Sequence, residues 1–347
     1  MQNDSDFKIG TTLDFVPPTE AVELGLYCEK LGFDSLWAVD HLIDNGGIKP
    51  EPWTTISAIG AQTKRILFST GVTDTQRSHP ARTAHSVATL AEITRGRVSL
   101  GIGAGEAMNL VPFGLPFDKP SVRAERLAEA IQVIRLLWSS SRSKPVSFQG
   151  AHFQLRNAWL DTPTKYEPKI FVGALGGTYG LKVAGEYGDG WVSWVNSPET
   201  FSKRLETAKS ARRQKETLEA VAWIFLSAAE GGPDLKEAIS YTKKALLAEV
   251  HTLKSIGFKM PEQLIPYQQM LVTDDADRAI NERENLIPDE LAMDFLTWGS
   301  PSQIIEKIER YRKAGATQIS VEFVQRGHGP LDQFGKTILT HYGKKGA

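Results

Sequence analysis

The chain has only one cysteine and no long apolar segment. Cys28 lies inside a predicted helix, so a disulfide framework and a cysteine-ligated zinc or iron–sulfur site are both excluded. No uninterrupted apolar run approaches the roughly 18 residues that indicate a membrane-spanning helix. The N-terminal MQNDSDFKIG also lacks the basic and apolar regions of a signal peptide. These absences predict a cytoplasmic protein without a membrane segment.

An excess of positive charge is missing as well. The 40 Lys and Arg residues are balanced by 41 Asp and Glu, which gives a formal net charge of −1. Such a chain has no basic field to recruit nucleic acid or an anionic membrane. The seven histidines are scattered without a metal-ligand spacing such as H-x-x-x-H, so no metal site is predicted. The expected partner is a small molecule.

The sequence does contain a regular alternation of strand-like and helix-like segments. We predict strands at 7–15, 34–41, 65–74, 97–106, 168–177, 189–196, 219–229 and 317–324. About eight βαβ units favour a (β/α)₈ barrel, or TIM barrel, over a doubly wound sheet. Neither a linker nor a shift in composition marks a boundary, so residues 1–347 are predicted to form one domain. Insertions are expected after strand 4, at 139–167, and in the C-terminal third, at 230–300.

Polar residues collect where the predicted strands end. In a parallel α/β barrel the chemistry takes place at this carboxyl-terminal face. The residues at these positions are Asp14, Asp40 with His41, Thr70 through Asp74, Glu106 with Asn109, Gly176 to Thr178, Trp194 with Asn196, Ser227, and Glu322. His41 follows the apolar run LWAV by one residue, and an imidazole there can exchange protons near neutral pH. The alternative is an exposed strand end with a helix-capping acid.

The stretch SLGIGAGEAMNL, residues 99–110, resembles the start of a dinucleotide-binding loop. The position of the last glycine in G-x-G-x-x-G is occupied by Glu106, whose carboxylate would repel a pyrophosphate. We therefore predict that the glycines bring the backbone close to a planar ligand and present Glu106, with Asn109 one helical turn further on. A loop in which the glycines serve only steric needs is the alternative.

A second glycine-containing segment, FVGALGGTYG, has the opposite character. Its strand ends at Gly176 and Gly177, and Thr178 opens a helix whose first N–H groups point towards an incoming anion. A phosphate site late in the chain fits a barrel of this kind. A tight turn without a ligand is the alternative.

These segments resemble the luciferase-like superfamily, and within it the branch that depends on coenzyme F420. The matching pieces are LWAVDH, STGVTD followed by RSHPARTAHSVATLAEITRGRVSLGIGAGE, and VGALGGTYGLKVAGEYGDGW. They cover about two thirds of the chain together with the first strand, and the region after about residue 230 contributes little. The resemblance implies a barrel that binds a deazaflavin in its carboxyl-terminal mouth.

The resemblance also implies roles for individual residues. His41, Glu106 and Asp14 would be catalytic, with His41 and Glu106 as candidates for proton transfer. The cofactor contacts would be Asp40, Thr70, Gly71, Val72 and Asn109, with Gly176, Gly177 and Thr178 receiving its phosphate. A non-prolyl cis peptide bond is expected between Gly71 and Val72.

The implied activity is transfer of a hydride between C5 of F420 and a small-molecule substrate. The substrate could be a methylenetetrahydromethanopterin-like pterin, a ketone or alcohol, or a sugar phosphate; the last needs a basic cluster, for which Lys203 and Lys254 are candidates. An FMN-dependent monooxygenase of the same superfamily is the alternative enzyme. A non-catalytic binding protein on the same barrel is a third class. A homodimer or higher homo-oligomer is expected from the resemblance.

Overall fold

A computed structural model of the chain describes residues 7–13, 16–44, 47–162, 164–228, 235–259, 271–344 and 346. Within these ranges, no helix is both long and apolar enough to span a bilayer.

Eight parallel strands form a closed barrel, as the sequence predicts. Each strand pairs with two neighbours, and the last closes onto the first through pairs such as Ile9 with Ile319. The strands are β1 (Lys8–Leu13), β2 (Ser35–Ala38), β3 (Leu67–Thr70), β4 (Val98–Gly103), β5 (Ile170–Gly173), β6 (Gly190–Ser193), β7 (Glu219–Ala228) and β8 (Gln318–Phe323). Because all eight run in one direction, their carboxyl ends meet at one face of the barrel.

Helices connect the strands around the outside. They are α1 (Pro18–Leu31), α2 (Pro52–Gly60), α3 (Pro80–Ile93), α4 (Pro120–Trp138), α5 (Thr178–Tyr187), α6 (Pro198–Ser210), α7 (Leu235–Ala248), α8 (Val250–Ser255), α9 (Asp274–Arg283), α10 (Asp289–Phe295), α11 (Pro301–Lys313) and α12 (His328–Phe334). Six of these begin at proline, whose fixed φ suits the first helical position and whose missing N–H would have no partner there.

Both predicted insertions are present. The first, between α4 and β5, contains an antiparallel hairpin of Val146–Gln149 and Gln154–Ala158. The second follows β7 and contains α7 to α10 and a strand, Leu296–Gly299, that pairs with β7 outside the barrel. β7 also pairs with β6 and β8, and residues of α7 and α9 lie at the carboxyl-terminal face on this side of the barrel.

The predicted strand at 65–74 is interrupted in the structure. β3 ends at Thr70, and a two-residue strand, Thr73–Asp74, pairs with the end of β4. The peptide bond between Gly71 and Val72 lies in this interruption and is cis, as the resemblance predicts.

Large side chains fill the inside of the barrel below this face. Trp37 makes edge-to-face contacts with Phe171, at 5.5 Å between ring centroids, and with Trp223, at 6.3 Å. All three side chains are buried. These three side chains therefore fill part of the barrel interior, and Trp223 is also on the wall of the cavity at the carboxyl-terminal face.

Glu29 connects α1 to the segment that leads into β3. Its buried carboxylate accepts hydrogen bonds from the backbone N–H groups of Lys64, Arg65 and Ile66, each at 2.9 Å. Burial acts to raise the pKa of Glu29, but these hydrogen bonds and the charge of Arg97 hold the pKa below its usual value. A lowered pKa means that the stabilisation is present above about pH 4.3 and is lost as the pH falls through the folded-state pKa.

We expect Glu29→Gln to lower the free energy of unfolding at pH 7 by about 1–3 kcal/mol, because an amide replaces a charged acceptor of three N–H groups. Urea unfolding of the variant and of Glu23→Gln, an exposed position on the same helix, measures the effect. The difference from the native chain should shrink at pH 3. Equal midpoints for Glu29→Gln and the native chain at pH 7 would contradict this role.

Candidate active site

A cavity of about 940 Å³ opens at the carboxyl-terminal face of the barrel. Its volume is in the range of small-molecule and cofactor sites. Residues at the ends of β2 to β8 line it together with parts of α4, α7 and α9. The predicted site residues on its wall are Asp40, His41, Gly71, Val72, Glu106, Asn109, Gly176, Gly177 and Thr178. The structure thus places nine of the predicted site residues, from four strand ends, on the wall of one cavity.

His41 lies between two carboxylates. Its Nδ1 is 2.7 Å from Asp44 Oδ2, and its Nε2 is 3.2 Å from Glu106 Oε2. Burial acts to lower the pKa of His41, but the charge of Glu106, together with the hydrogen bond to Asp44, raises it to about 9. At neutral pH the ring therefore carries a proton on each nitrogen. His41, with Asp44 and Glu106 on either side of its ring, can hold a proton at the cavity wall and release it.

The glycines before Glu106 have a steric purpose at the strand itself. A Cβ on Gly101 would lie 1.8 Å from the carbonyl oxygen of Thr70, and one on Gly103 would lie 2.8 Å from the Val72 side chain. Gly105 adopts φ of 82°, which favours glycine, at the bend before Glu106. The GIGAG segment thus lets β4 approach β3 closely and turns the chain so that Glu106 reaches His41.

Asn109 sits in a short helical turn, Ala107–Asn109, after β4. Its Oδ1 accepts hydrogen bonds from the N–H groups of Leu42, at 2.7 Å, and Ile43, at 3.0 Å. Its Nδ2 is buried without a hydrogen-bond partner among the residues that the structure describes. Asn109 therefore fixes the loop that carries His41 and retains one buried donor on the cavity wall for a ligand.

Asp40 faces a cation that the sequence reasoning did not identify. Arg77 Nη1 donates to Asp40 Oδ1 at 3.0 Å, and the same guanidinium contacts Asp74. Burial raises the pKa of Asp40, and the charge of Arg77 opposes that rise. The one indication of this role in the sequence was that Arg77 follows the GVTD turn by three residues. Asp40 is thus held in place on the wall rather than free to rotate into the cavity.

The remaining predicted residues differ in their placement. Thr70 is fully buried, its hydroxyl donates to the Gly101 carbonyl at 2.6 Å, and it does not line the cavity. Lys203 and Lys254 are exposed and do not line it either. Asp14 lies outside the described residues. Thr70, Lys203 and Lys254 therefore gain no support from the cavity lining, and the role of Asp14 stays a prediction.

Gly176 and Gly177 lead into α5, as the sequence predicts. The first N–H groups of a helix have no partner within the helix. In α5 the N-cap residue is Gly177, which has no side chain to accept a hydrogen bond from them. A Cβ on Gly176 would lie 2.5 Å from Nη2 of Arg204, and one on Gly177 would meet nothing within 4 Å. Arg204, a buried residue that sequence reasoning missed, thus places a guanidinium against this turn.

Residues that follow the later strands, together with residues of α7 and α9, line the side of the cavity opposite His41 and Asp40. Glu322 accepts hydrogen bonds from Trp223 Nε1, at 2.7 Å, and from the hydroxyl of Tyr241. The apolar members of this group are Trp194, Trp223, Tyr241, Ala245, Ala248 and Ile280. Glu322 was among the strand-end residues, but its partners lie about 80 to 100 positions away, and no local pattern in the sequence connects them.

Comparison with known proteins places this arrangement in a family. A family model described as luciferase-like monooxygenase matches residues 4–318. An F420-dependent glucose-6-phosphate dehydrogenase of Microbacterium testaceum is 30% identical over 343 residues, covering 94% of each chain. An F420-dependent hydroxymycolic acid dehydrogenase of Mycobacterium tuberculosis is 40% identical over 205 residues, covering 57% of this chain and 56% of that one.

Among solved structures, an F420-dependent secondary alcohol dehydrogenase in complex with an F420–acetone adduct superimposes with a TM-score of 0.78. It is 28% identical, with 96% of this chain and 98% of that chain covered. The expectation from the sequence is therefore confirmed: the chain belongs to the luciferase-like family, and the relatives named here are F420-dependent oxidoreductases.

Proposed function

We propose that this protein is an F420-dependent oxidoreductase that transfers a hydride between the deazaflavin and an alcohol or ketone. The observation that carries the proposal is His41 held between Asp44 and Glu106 in the wall of a cavity large enough for cofactor and substrate. The named relatives are F420-dependent dehydrogenases, which favours F420 over FMN as the cofactor.

The described residues fit the cofactor on three counts. Asn109 Nδ2 is a buried donor that has no hydrogen-bond partner within the part of the chain that the structure describes. Gly71 and Val72 line the cavity, and position 71 has no room for a side chain because Trp223 occupies the space that a Cβ would need. The N–H groups at the start of α5, with Arg204 behind them, suit a phosphate. We assign the ring to the first two features and the phosphate to the third.

The cofactor, when bound, supplies the carbon that gives or accepts the hydride, and the protein manages the accompanying proton. In the direction of carbonyl reduction, His41 donates its Nε2 proton to the substrate oxygen as that oxygen gains negative charge. In the direction of alcohol oxidation, His41 takes the hydroxyl proton after it has released its own Nε2 proton, so this direction is favoured as the pH rises towards the His41 pKa of about 9. The ion pair with Arg77 fixes the position of Asp40, and the hydrogen bond from the Leu42 N–H group fixes that of Asn109, so neither side chain has to move during the proton transfer.

We expect His41→Asn and Glu106→Gln each to lower kcat by about 10²–10⁴-fold, because each removes a partner of the proton transfer. The affinity for F420, measured by quenching of its fluorescence, should change far less. Asp118→Asn, which removes a carboxylate paired with Arg126 instead, is the matched control and should keep its activity. Native turnover in both site variants would remove the two residues from the mechanism.

The electrostatics of the cavity favour an uncharged substrate. Four Lys and Arg side chains line it among the described residues, and each already has acceptors. Lys49 pairs with Asp44 at 3.7 Å, Arg77 with Asp40 and Asp74, and Lys244 with Glu284 at 3.5 Å. Arg123 donates to the carbonyl groups of Gly105 and Asp118. A phosphate dianion would have to displace these acceptors and approach Glu322 and Glu106.

The wall built by the later strands and α7 is apolar and aromatic, which suits a hydrocarbon substituent. Trp194, Trp223 and Ile280 represent this surface. Burial of each methylene group against such a wall contributes about 0.8 kcal/mol. Of the three substrate classes that the sequence leaves open, the secondary alcohol or ketone therefore fits best, ahead of the sugar phosphate and the pterin.

We expect kcat/KM to rise along a series of secondary alcohols from 2-propanol to 2-octanol, by up to about threefold for each added methylene. The assay follows the loss of F420 absorbance in the presence of each alcohol. Glucose 6-phosphate and the methyl form of tetrahydromethanopterin, which is the product of hydride transfer to the methylene form, are the comparison substrates for oxidised F420. Both should be at least about tenfold poorer than the best alcohol. A higher kcat/KM for either comparison substrate would contradict the assignment.

A further inference from the structure

One carboxylate beside His41 has no part in the proposed chemistry. Asp44 Oδ2 lies 2.7 Å from His41 Nδ1, the nitrogen on the opposite side of the ring from Glu106. Its side chain is 10% exposed, and that of His41 is 12% exposed. A buried carboxylate at this distance makes a charge-assisted hydrogen bond with the ring.

Asp44 is itself held in place. Lys49 Nζ lies 3.7 Å from Asp44 Oδ1, so the two oxygens of one carboxylate face two different cations. The backbone between His41 and Asp44 is fixed by Asn109, whose Oδ1 accepts hydrogen bonds from the N–H groups of Leu42 and Ile43. The orientation of the imidazole is thus set both at its backbone and at Nδ1.

We propose that Asp44 is a positioning residue that keeps the Nδ1 proton on His41, so that only the Nε2 proton exchanges with the cavity. The consequence for turnover rests on the proposed function, but the state of the ring does not. Without an acceptor at Nδ1, a neutral imidazole can carry its proton on either nitrogen, and the Nε2–H form would be unable to accept a proton from the substrate side.

The charges around His41 agree with this role. Asp44 and Lys49 face the ring from its own loop, and Glu106 faces it from the loop after β4. Arg123 of α4 and Glu249, which precedes α8, act on Glu106 from further away. Loss of the Asp44 charge leaves Glu106 as the one carboxylate in contact with the ring among the described residues. The ring should then lose its proton at lower pH.

The test is ¹⁵N NMR of the histidine rings in the cofactor-free protein, because it reports both ionisation and tautomer. His41→Gln identifies the resonance among the seven histidines. In the native chain we expect the ring to titrate near pH 9 and its neutral form to be Nδ1–H. In Asp44→Asn the midpoint should fall by about one pH unit or more while the neutral form stays Nδ1–H, since the amide oxygen still accepts.

Asp44→Ala removes the acceptor as well as the charge, so its neutral ring should shift towards Nε2–H. With F420 and a secondary alcohol, at a pH above the midpoint of both proteins so that both rings are neutral, Asp44→Ala should lower kcat by at least about tenfold with less than about twofold change in F420 affinity. Asp118→Asn is the control for loss of a carboxylate, and circular dichroism checks that each variant folds. If Asp44→Ala is unfolded, the midpoint in Asp44→Asn decides alone.

An unchanged midpoint in Asp44→Asn would overturn the inference, as would an Nδ1–H ring in folded Asp44→Ala. Either result would leave the proposed function intact if the native protein turns over F420. Conversely, a native protein that neither binds nor turns over F420 would refute the proposed function without altering the NMR result. The two failures are therefore distinguishable.

Discussion

A buried imidazole between two carboxylates is the interaction on which the carboxyl-terminal face depends. His41 can hold a proton there only because Asp44 and Glu106 offset the cost of burying its charge. Glu106 reaches the ring through the glycine bend after β4, and Asn109 fixes the loop that carries the ring. The close contact of β3 with β4 is thus tied to the chemistry at the end of both strands.

The cavity has two sides with different characters. The loops after β2 to β5 provide glycines, free backbone donors and paired charges, which suit a planar cofactor with a phosphate. The later strands and the insertion after β7 provide Trp194, Trp223 and Ile280, with one buried acid, Glu322. The insertion was the part of the chain with the weakest resemblance to the family. It also contributes much of the wall that we assign to substrate, which explains why the sequence left the substrate open.

Much of this could be predicted because strand and helix periods, and the residues at strand ends, are local signals. The eight strands and both insertions were predicted in this way, whereas the cis bond at Gly71–Val72 was implied by the family resemblance. The pairings were not predictable, because each joins residues from different βα units. Arg77 with Asp40, and Arg204 with Gly176, become neighbours only when the barrel closes. Thr70 was predicted as a cofactor contact from its strand-end position, and the structure shows its buried hydroxyl hydrogen-bonded to the backbone of Gly101 in β4.

The central claim is that this face of the barrel is an F420 site, and titration of the cofactor-free protein with F420 and with FMN tests it most directly. Isothermal calorimetry should give F420 a dissociation constant at least about tenfold lower than that of FMN, a difference of about 1.4 kcal/mol. Tighter binding of FMN, or no binding of F420 to folded protein, would contradict the claim.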